Sequence, residues 1–258
     1  MDGLSGLMLF GAGLAGGIVT AVVGGASLVT FPALLAAGLP PIVANASNAV
    51  ALMPGNFGGG FADLERLPRW DRSFVSLIAV CIAGSVAGAG LLLVTPERAF
   101  TAVVPLLIGL ATLLFAGVGR IQRWIRSRAG RPNGPRVSSD GLRLLLLAPV
   151  AVYGGYFGAG MSVMLLAIFS VSATNDFRGT NVIKNLLSGL TSLVAVVVFV
   201  VQGVVAWPPA LVMMGGALVG GFLGGRVARV LPPDLVRGIV ITVGTILTLV
   251  YAWRYWLR

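Results

Sequence analysis

The chain has 258 residues, of which 57% are hydrophobic and only 10% are charged, and its formal net charge is +10. Folded soluble domains carry about 25% charged residues, so this composition excludes an ordinary soluble protein. Apolar stretches of about 20 residues recur along the chain, and each can cross a hydrocarbon layer of ~30 Å. The sequence therefore predicts an all-α polytopic membrane protein. Its N-terminus enters an apolar run without a basic region or a small-residue cleavage site, which favours a first span over a cleaved signal.

The predicted elements form two similar sets in chain order. Each set begins with an apolar run that glycines interrupt, continues with a span that carries asparagines, and ends with two further spans. The ranges are 4–38, 41–61, 73–94 and 98–119 in the first half, and 142–174, 177–202, 208–230 and 234–256 in the second. We therefore predict a first membrane repeat at 1–119, a basic cytoplasmic linker at 120–141 and a second membrane repeat at 142–258, with about eight membrane segments in all.

The positive charge is concentrated between the two halves. Seven arginines lie between residues 120 and 143, and Pro132 and Pro135 interrupt that stretch. Basic loops of membrane proteins usually lie on the cytoplasmic side, beside anionic lipid. The charge therefore indicates contact with the bilayer rather than a nucleic-acid partner. Because Cys81 is the only cysteine and histidine is absent, the sequence predicts no disulfide, no metal site and no cofactor.

The two halves also match by position. Residues 24–48 align with 160–184 at a shift of 136, and later positions align at a shift of 137. The matches include Gly24 with Gly160, Asn45 with Asn181, Asn48 with Lys184, and "TPERAF" at 95–100 with "PPDLVR" at 232–237. Internal duplication is typical of secondary transporters, whose substrate site lies between the repeats. If each interrupted run crosses the membrane once, the two repeats have the same orientation. If each run enters the membrane and returns to the same side, the two repeats are inverted, and this is the arrangement that we favour.

Paired glycines interrupt both initial runs, in "VVGGASLVTFP" and "GGYFGAGMSVM". One interpretation is close helix packing, because small residues let membrane helices approach each other. The other is a discontinuous helix near mid-membrane, whose free N–H groups and positive dipole end form an anion site. Gly24, Gly25 and Gly160 would then form the breaks. Ser27 and Ser162 follow them, where a hydroxyl caps the helix or binds a ligand.

A polar face is predicted in the span that follows each break. Asn45 and Asn48 are three residues apart, as are Asn181 and Lys184, and Asn185 lies four beyond Asn181. These spacings place each set on one helix face, which must avoid lipid. Lys184 has three open interpretations: bonding to carbonyls and to the first-half asparagines, reaching the membrane interface, or binding an anion. All eight acidic residues fall at predicted ends or loops, which disfavours cation transport.

These motifs resemble the sulfite exporter TauE/SafE family of membrane transporters. The resemblance lies in "VVGGASLVTFPALLAAGLPPIVANASN", "YFGAGMSVMLLAIFSVSATNDFRGTNVIKN" and the later "PPDLVR", and it covers roughly residues 8 to 252. It implies glycine motifs at Gly24–Gly25 and Gly158–Gly160, and polar helix motifs at Asn45–Asn48 and Thr180–Asn185. It also implies export of sulfite, sulfonates or related anions, and a bacterial inner-membrane location. Ala26, where the family often has a third glycine, is a departure from the pattern.

We therefore expect a secondary transporter that exports small sulfur-containing anions by alternating access, with a channel or carrier for other small organic anions as the alternative. The expected partners are an anionic substrate and the lipid bilayer, and a homodimer is open. The candidate substrate-binding residues are Gly24, Gly25, Ser27, Asn45, Asn48, Gly158, Gly160, Ser162, Thr180, Asn181, Lys184 and Asn185. An enzyme is not expected, although Ser162 with Lys184 could imitate a serine–lysine pair.

Overall fold

The computed structural model describes residues 3–22, 25–61, 71–128, 140–172, 177–227 and 233–256, and within these ranges all regular structure is helical. The described helices are α1 (Gly3–Val22), α2 (Ser27–Ala36), α3 (Pro41–Phe61), α4 (Arg72–Val94), α5 (Glu97–Arg128), α6 (Asp140–Tyr156), α7 (Met161–Ser172), α8 (Phe177–Val201), α9 (Trp207–Val227) and α10 (Pro233–Trp256). The prediction of an all-α chain is therefore confirmed for these residues.

Six segments among the described residues are long and apolar enough to cross a membrane. They are α1, α4, the Glu97–Gly117 part of α5, the Val182–Val201 part of α8, Trp207–Arg226 in α9 and Leu235–Trp256 in α10. Helix α2 and the Gly141–Tyr156 part of α6 are apolar but shorter. Helix α3 has the predicted bounds but is not among the six. Among the described residues six long apolar segments are therefore present, and the count of about eight stays a prediction.

Helix α5 is longer than the sequence predicts. The predicted span ends at residue 119, whereas the helix continues without interruption to Arg128. The first residues of the predicted linker at 120–141 are therefore helical. Residues 129–139, which include most of the proline-containing stretch, lie outside the described residues.

Glycines bring α1 against α9 and α4 against α6. A Cβ placed on Gly17 would overlap the Ala217 carbonyl oxygen, and one on Gly13 would overlap that of Met213. Because the contacts advance in the same direction on both helices, α1 and α9 run parallel. In α4, a Cβ on Gly88 would overlap the Val152 carbonyl oxygen of α6. Such close backbone approach is how membrane helices associate without a hydrophobic driving force.

Helices α5 and α10 pack along each other in opposite directions. Thr112 lies near Gly244, and Gly109, one turn earlier in α5, lies near Thr248, one turn later in α10. At the end of this contact the Trp256 indole Nε1 donates a hydrogen bond to the Ala102 carbonyl oxygen, at 2.9 Å. The antiparallel contact therefore extends over most of the length of both helices.

The glycine contact between α4 and α6 gives a testable prediction. Gly88→Ala should destabilise the protein by about 1–3 kcal/mol, because the new methyl group must displace backbone atoms of α6. Gly90→Ala, in the same helix, is the matched control, since nothing lies within 4 Å of a Cβ there. Thermal unfolding of the detergent-solubilised variants measures the difference. Equal melting temperatures would show that the helices separate at little cost.

Candidate functional site

A cavity of about 890 Å³ lies between the helices, and every described helix except α4 contributes to its wall. Both helix breaks open onto it, and so do the polar faces of α3 and α8. Nine of the predicted site residues line it: Gly25, Ser27, Asn45, Asn48, Gly158, Gly160, Ser162, Lys184 and Asn185. The structure thus brings together residues that are up to 160 positions apart in the chain.

The remaining three predicted residues lie wholly or partly outside the described structure. Gly24 lies outside the described residues. Thr180 and Asn181 lie in α8, but their side chains are outside the described part of the structure. Their roles therefore stay predictions from the sequence.

The predicted break in the first half is present. Helix α1 ends at Val22 and α2 begins at Ser27, and Gly25 has a φ of +89°, which L-residues with a side chain rarely adopt. A Cβ at Gly25 would also lie 2.8 Å from the Phe115 ring of α5. Since Gly16 of α1 lies beside Thr30 of α2, the second helix turns back alongside the first instead of continuing it.

The second half has an equivalent break. Helix α6 ends at Tyr156 and α7 begins at Met161, with φ values of +74° at Gly158 and +82° at Gly160. The Tyr153 hydroxyl donates a hydrogen bond of 2.7 Å to the Ala159 carbonyl oxygen, which holds the turn against α6. Both breaks therefore need glycine for their backbone conformation as well as for close packing.

The N-cap interpretation of the two serines is wrong. Ala26 occupies the N-cap position of α2 without a side-chain hydrogen bond, and Ser27 is the first residue of the helix. Ser162 is likewise inside α7, as its second residue. Their hydroxyls point to neighbouring helices instead. Ser27 Oγ accepts from Asn48 Nδ2 at 3.3 Å, and Ser162 Oγ lies 3.2 Å from Ser188 Oγ of α8.

Two asparagine side chains of α3 form hydrogen bonds with polar groups at the two helix breaks. Asn48 and Asn45 are each only 3% exposed. Asn48 Oδ1 accepts a hydrogen bond of 2.5 Å from the Thr30 hydroxyl of α2, while Asn45 Nδ2 donates one of 3.0 Å to the Tyr156 carbonyl oxygen. That carbonyl belongs to the last turn of α6, where no intrahelical donor is available. Both amides are therefore structural partners of the breaks as well as cavity residues.

Lys184 is partly buried and lines the cavity one turn before Ser188. None of the described residues accepts a hydrogen bond from its ammonium group or forms an ion pair with it. Asn45 and Asn48 bond to Tyr156, Thr30 and Ser27, so the interpretation in which they satisfy the ammonium is not supported. The cavity position also argues against a lysine that reaches away to the membrane interface.

Arg237 is a cavity residue that the sequence interpretation missed. It lies in α10, and its Nη2 donates a hydrogen bond of 2.5 Å to the Ala116 carbonyl oxygen of α5. The sequence places it in "PPDLVR" near a predicted span end, where arginine is ordinary. Only the antiparallel packing of α5 on α10 turns it towards the cavity. The described lining contains these two cations and no carboxylate.

The hydrogen bond of Thr30 to Asn48 can be tested by substitution. Thr30 is fully buried, so Thr30→Val should cost about 1–3 kcal/mol, because it leaves Asn48 Oδ1 without its donor. Thr101→Val is the control: like the Thr30 hydroxyl, which also lies 3.0 Å from the Ala26 carbonyl oxygen, the Thr101 hydroxyl bonds to a backbone carbonyl oxygen, but its hydrogen bond is exposed, and the cost should stay within about 0.5 kcal/mol. Melting temperatures in detergent distinguish the two. An unchanged melting temperature in Thr30→Val would contradict the role assigned to the hydrogen bonds of α3.

Comparisons with known proteins agree with this architecture. The model of the sulfite exporter TauE/SafE family matches residues 9–251. The chain is 29% identical over 257 residues to the probable membrane transporter protein YfcA of Escherichia coli K12, covering 95% of this chain and 88% of that protein. A probable membrane transporter protein of Haemophilus influenzae is 26% identical, with 93% and 92% covered.

A third relative is the probable membrane transporter protein ORF9 of a Sinorhizobium species, which is 27% identical, with 93% of this chain and 90% of that protein covered. No solved structure is a significant match. The family match and the six long apolar helices together identify a multi-pass membrane protein. The family match spans nearly the whole chain, and the chain therefore belongs to the sulfite exporter TauE/SafE family of membrane transporters.

Proposed function

We propose that this protein is a secondary transporter that exports small sulfur-containing anions, such as sulfite or organosulfonates, by alternating access between two repeats. The observation that carries the proposal is the position of Lys184, a cation inside a cavity whose described lining has no carboxylate. A charged group at such a position in a membrane protein is costly and is retained for a partner or a substrate. After each helix break, the N-terminus of the next helix adds the positive end of a helix dipole, which favours the binding of an anion.

The packing of the helices supports two inverted repeats. The contacts of α1 with α9 and of α4 with α6 become equivalent if α1 corresponds to α6 and α4 to α9. The contacts of α2 with α10 and of α5 with α7 match in the same way. Under this correspondence α5 and α10 are equivalent helices, and they run antiparallel. A pseudo-two-fold axis along the membrane normal would leave the two equivalent helices parallel. A pseudo-two-fold axis in the membrane plane, which relates inverted repeats, makes them antiparallel.

The chemistry of the cavity favours transport over catalysis. Ser162 has Ser188 as its hydrogen-bond partner, so the geometry does not support a serine–lysine pair with Lys184. The sequence also has no histidine to act as a general base. A carrier needs a site that two modules can open alternately to either side, and this cavity has walls from both halves of the chain.

Substitution of Lys184 tests the site. Lys184→Gln should lower transport of labelled sulfite or sulfoacetate in proteoliposomes by roughly 10- to 100-fold, since it removes a charged donor to the anion. Arg254→Gln is the control, because Arg254 is a cation that lies exposed near the end of α10. Insertion and melting temperature should be unchanged in both variants. Full transport by Lys184→Gln would refute the assignment of this lysine to the substrate.

Counterflow separates a carrier from a channel. Proteoliposomes loaded with unlabelled substrate should transiently accumulate the labelled substrate above its external concentration, because an alternating site exchanges one molecule for another. An open pore dissipates the gradient without such an overshoot. The same assay with acetate and succinate in place of sulfonates reveals whether carboxylates are the true substrates. Accumulation of carboxylates alone would contradict the proposed sulfur specificity.

A further inference from the structure

The helix ends fall on two sides of the protein, which the predicted linker at 120–141 distinguishes. Helix α5 ends inside that linker, and α10 runs antiparallel to α5, so α10 begins on the linker side. Only five residues separate α9 from α10, so α9 ends on that side, and α1, which runs parallel to α9, ends there too. Ser47 of α3 accepts a hydrogen bond from the Ala206 N–H, just before α9 begins on the opposite, far side. The later part of α3 therefore lies towards the linker.

The cavity opens towards the linker side. Exposed residues line its wall there: Ala21 in the last turn of α1, Gly55 in the later part of α3 and Phe222 near the end of α9. Its lining on the far side is buried instead. Phe199, in the last turn of α8 shortly before α9 begins, lines the cavity but is only 1% exposed, whereas Phe222 is 69% exposed. The described residues therefore leave the cavity accessible from one side.

An aromatic cluster lies at the closed end. It consists of Phe31 of α2, Phe100 of α5, Tyr153 and Tyr156 of α6, and Phe157, which follows α6. The Phe157 ring meets Phe31 edge-on at a centroid distance of 5.3 Å and Tyr153 at 6.4 Å, and Phe100 meets Tyr156 at 5.7 Å. Phe157 is part of the cavity wall, while Phe100 lies in the first turn of α5, on the far side. The cluster thus extends from the cavity to the far-side end of α5.

We propose that this aromatic cluster is the far-side gate of the protein, and that the structure is the state in which the cavity opens to the linker side alone. This inference rests on the proposed function, because it takes the cavity to open to the two sides in turn. The gate opens when the rings contributed by the second half separate from Phe31 and Phe100 of the first half.

The composition of the cluster suits a gate between two moving halves. The contacts of Phe31 with Phe157 and of Phe100 with Tyr156 each join the first half to the second. The hydrogen bond from Asn45 Nδ2 to the Tyr156 carbonyl oxygen crosses between the halves at the same place. A relative movement of the halves therefore loosens all three contacts together. Edge-on aromatic pairs are individually weak, so such a seal can reopen, and an apolar constriction excludes an anion because the anion would have to lose its water.

The two sides of the cavity differ at one pair of matching positions. Phe100 ends "TPERAF", and the residue that ends the matching "PPDLVR" is Arg237, which lines the cavity near the start of α10 on the linker side. A guanidinium group favours water and cannot form the apolar contact that Phe100 forms with Tyr156. This difference is consistent with a structure that is closed on the far side and open on the linker side.

The alternative role for the cluster is ordinary core packing. The two roles differ in what the loss of one ring changes. Loss of a packing contact lowers the melting temperature and leaves access to the cavity as it was. Loss of a gate contact makes the cavity accessible from the far side, while its access from the linker side stays nearly the same.

Sided labelling of a cavity cysteine distinguishes the two roles. Cys81 is the only cysteine, so Cys81→Ala gives a cysteine-free parent. Ala49→Cys in that parent places a thiol at a partly buried position of the cavity wall. A membrane-impermeant anionic methanethiosulfonate is then applied to right-side-out and to inverted vesicles. Gly55→Cys and Ala99→Cys, at exposed positions on the linker side and the far side, identify the side that the reagent reaches.

The thiol of Ala49→Cys should react from the linker side, and roughly 10- to 100-fold more slowly from the far side. Adding Phe157→Ala should raise the far-side rate roughly 10-fold, because the ring contacts with Phe31 and Tyr153 are lost. Phe31→Leu is a milder second variant and should raise the far-side rate by roughly 3-fold. Phe169→Ala, which removes a buried ring of α7 outside the cluster, is the matched control and should leave both rates unchanged.

Several results would overturn the gate. Equal rates from both sides in the parent, or no reaction from the linker side, would contradict the assigned state. A lower melting temperature of Phe157→Ala and Phe31→Leu without faster far-side labelling would make the cluster core packing alone. Equal acceleration from both sides would indicate general loosening and would also contradict a far-side gate.

The labelling and the transport assays fail independently. If counterflow of sulfonates is observed and neither ring substitution changes far-side labelling, the proposed function stands and the gate fails. If labelling follows the expected pattern and no anion is transported, the gate stands and the proposed substrate class fails.

Discussion

The structure depends on how backbone groups are satisfied where two helices break inside an apolar protein. Hydrocarbon offers no hydrogen bonds, so non-helical backbone is tolerated only where protein groups or a cavity surround it. Here α3 supplies those groups. Asn48 joins Thr30 and Ser27 of α2, and Asn45 joins the last turn of α6. One helix thereby fixes two breaks from different halves of the chain, and the cavity lies where they meet.

Helix pairs that pack closely at glycines surround the cavity. The α1–α9 and α4–α6 contacts each join one helix from the first half to one from the second. Both contacts depend on backbone approach at glycines such as Gly17 and Gly88. The proposed alternating-access cycle requires small changes in the crossing angles of these helices, by rocking of one repeat against the other.

Much of this architecture could be predicted from the sequence, because apolar length and glycine pairs are local signals. The helices, both breaks and the shared position of Asn45, Asn48 and Lys184 follow from spacing and from the cost of polar groups in lipid. Details that depend on tertiary contacts were missed. The hydroxyl of Ser27 bonds to α3 instead of capping its own helix, and Arg237 reaches the cavity only because α10 packs antiparallel to α5.

The proposed repeats differ in charge, and this difference bears on how the protein works. Asn48 corresponds to Lys184, and Phe100, the last residue of "TPERAF", corresponds to Arg237 in "PPDLVR". Phe100 is fully buried and packs against Tyr156 at a centroid distance of 5.7 Å, so the first half has an apolar contact where the second has a cation. In the proposed alternating-access cycle, two equivalent repeats suit two states of similar energy. Because Lys184 and Arg237 both lie in the second half of the chain, the positive charge of the described cavity lining is asymmetric, and in the proposed cycle this asymmetry favours one orientation of a bound anion.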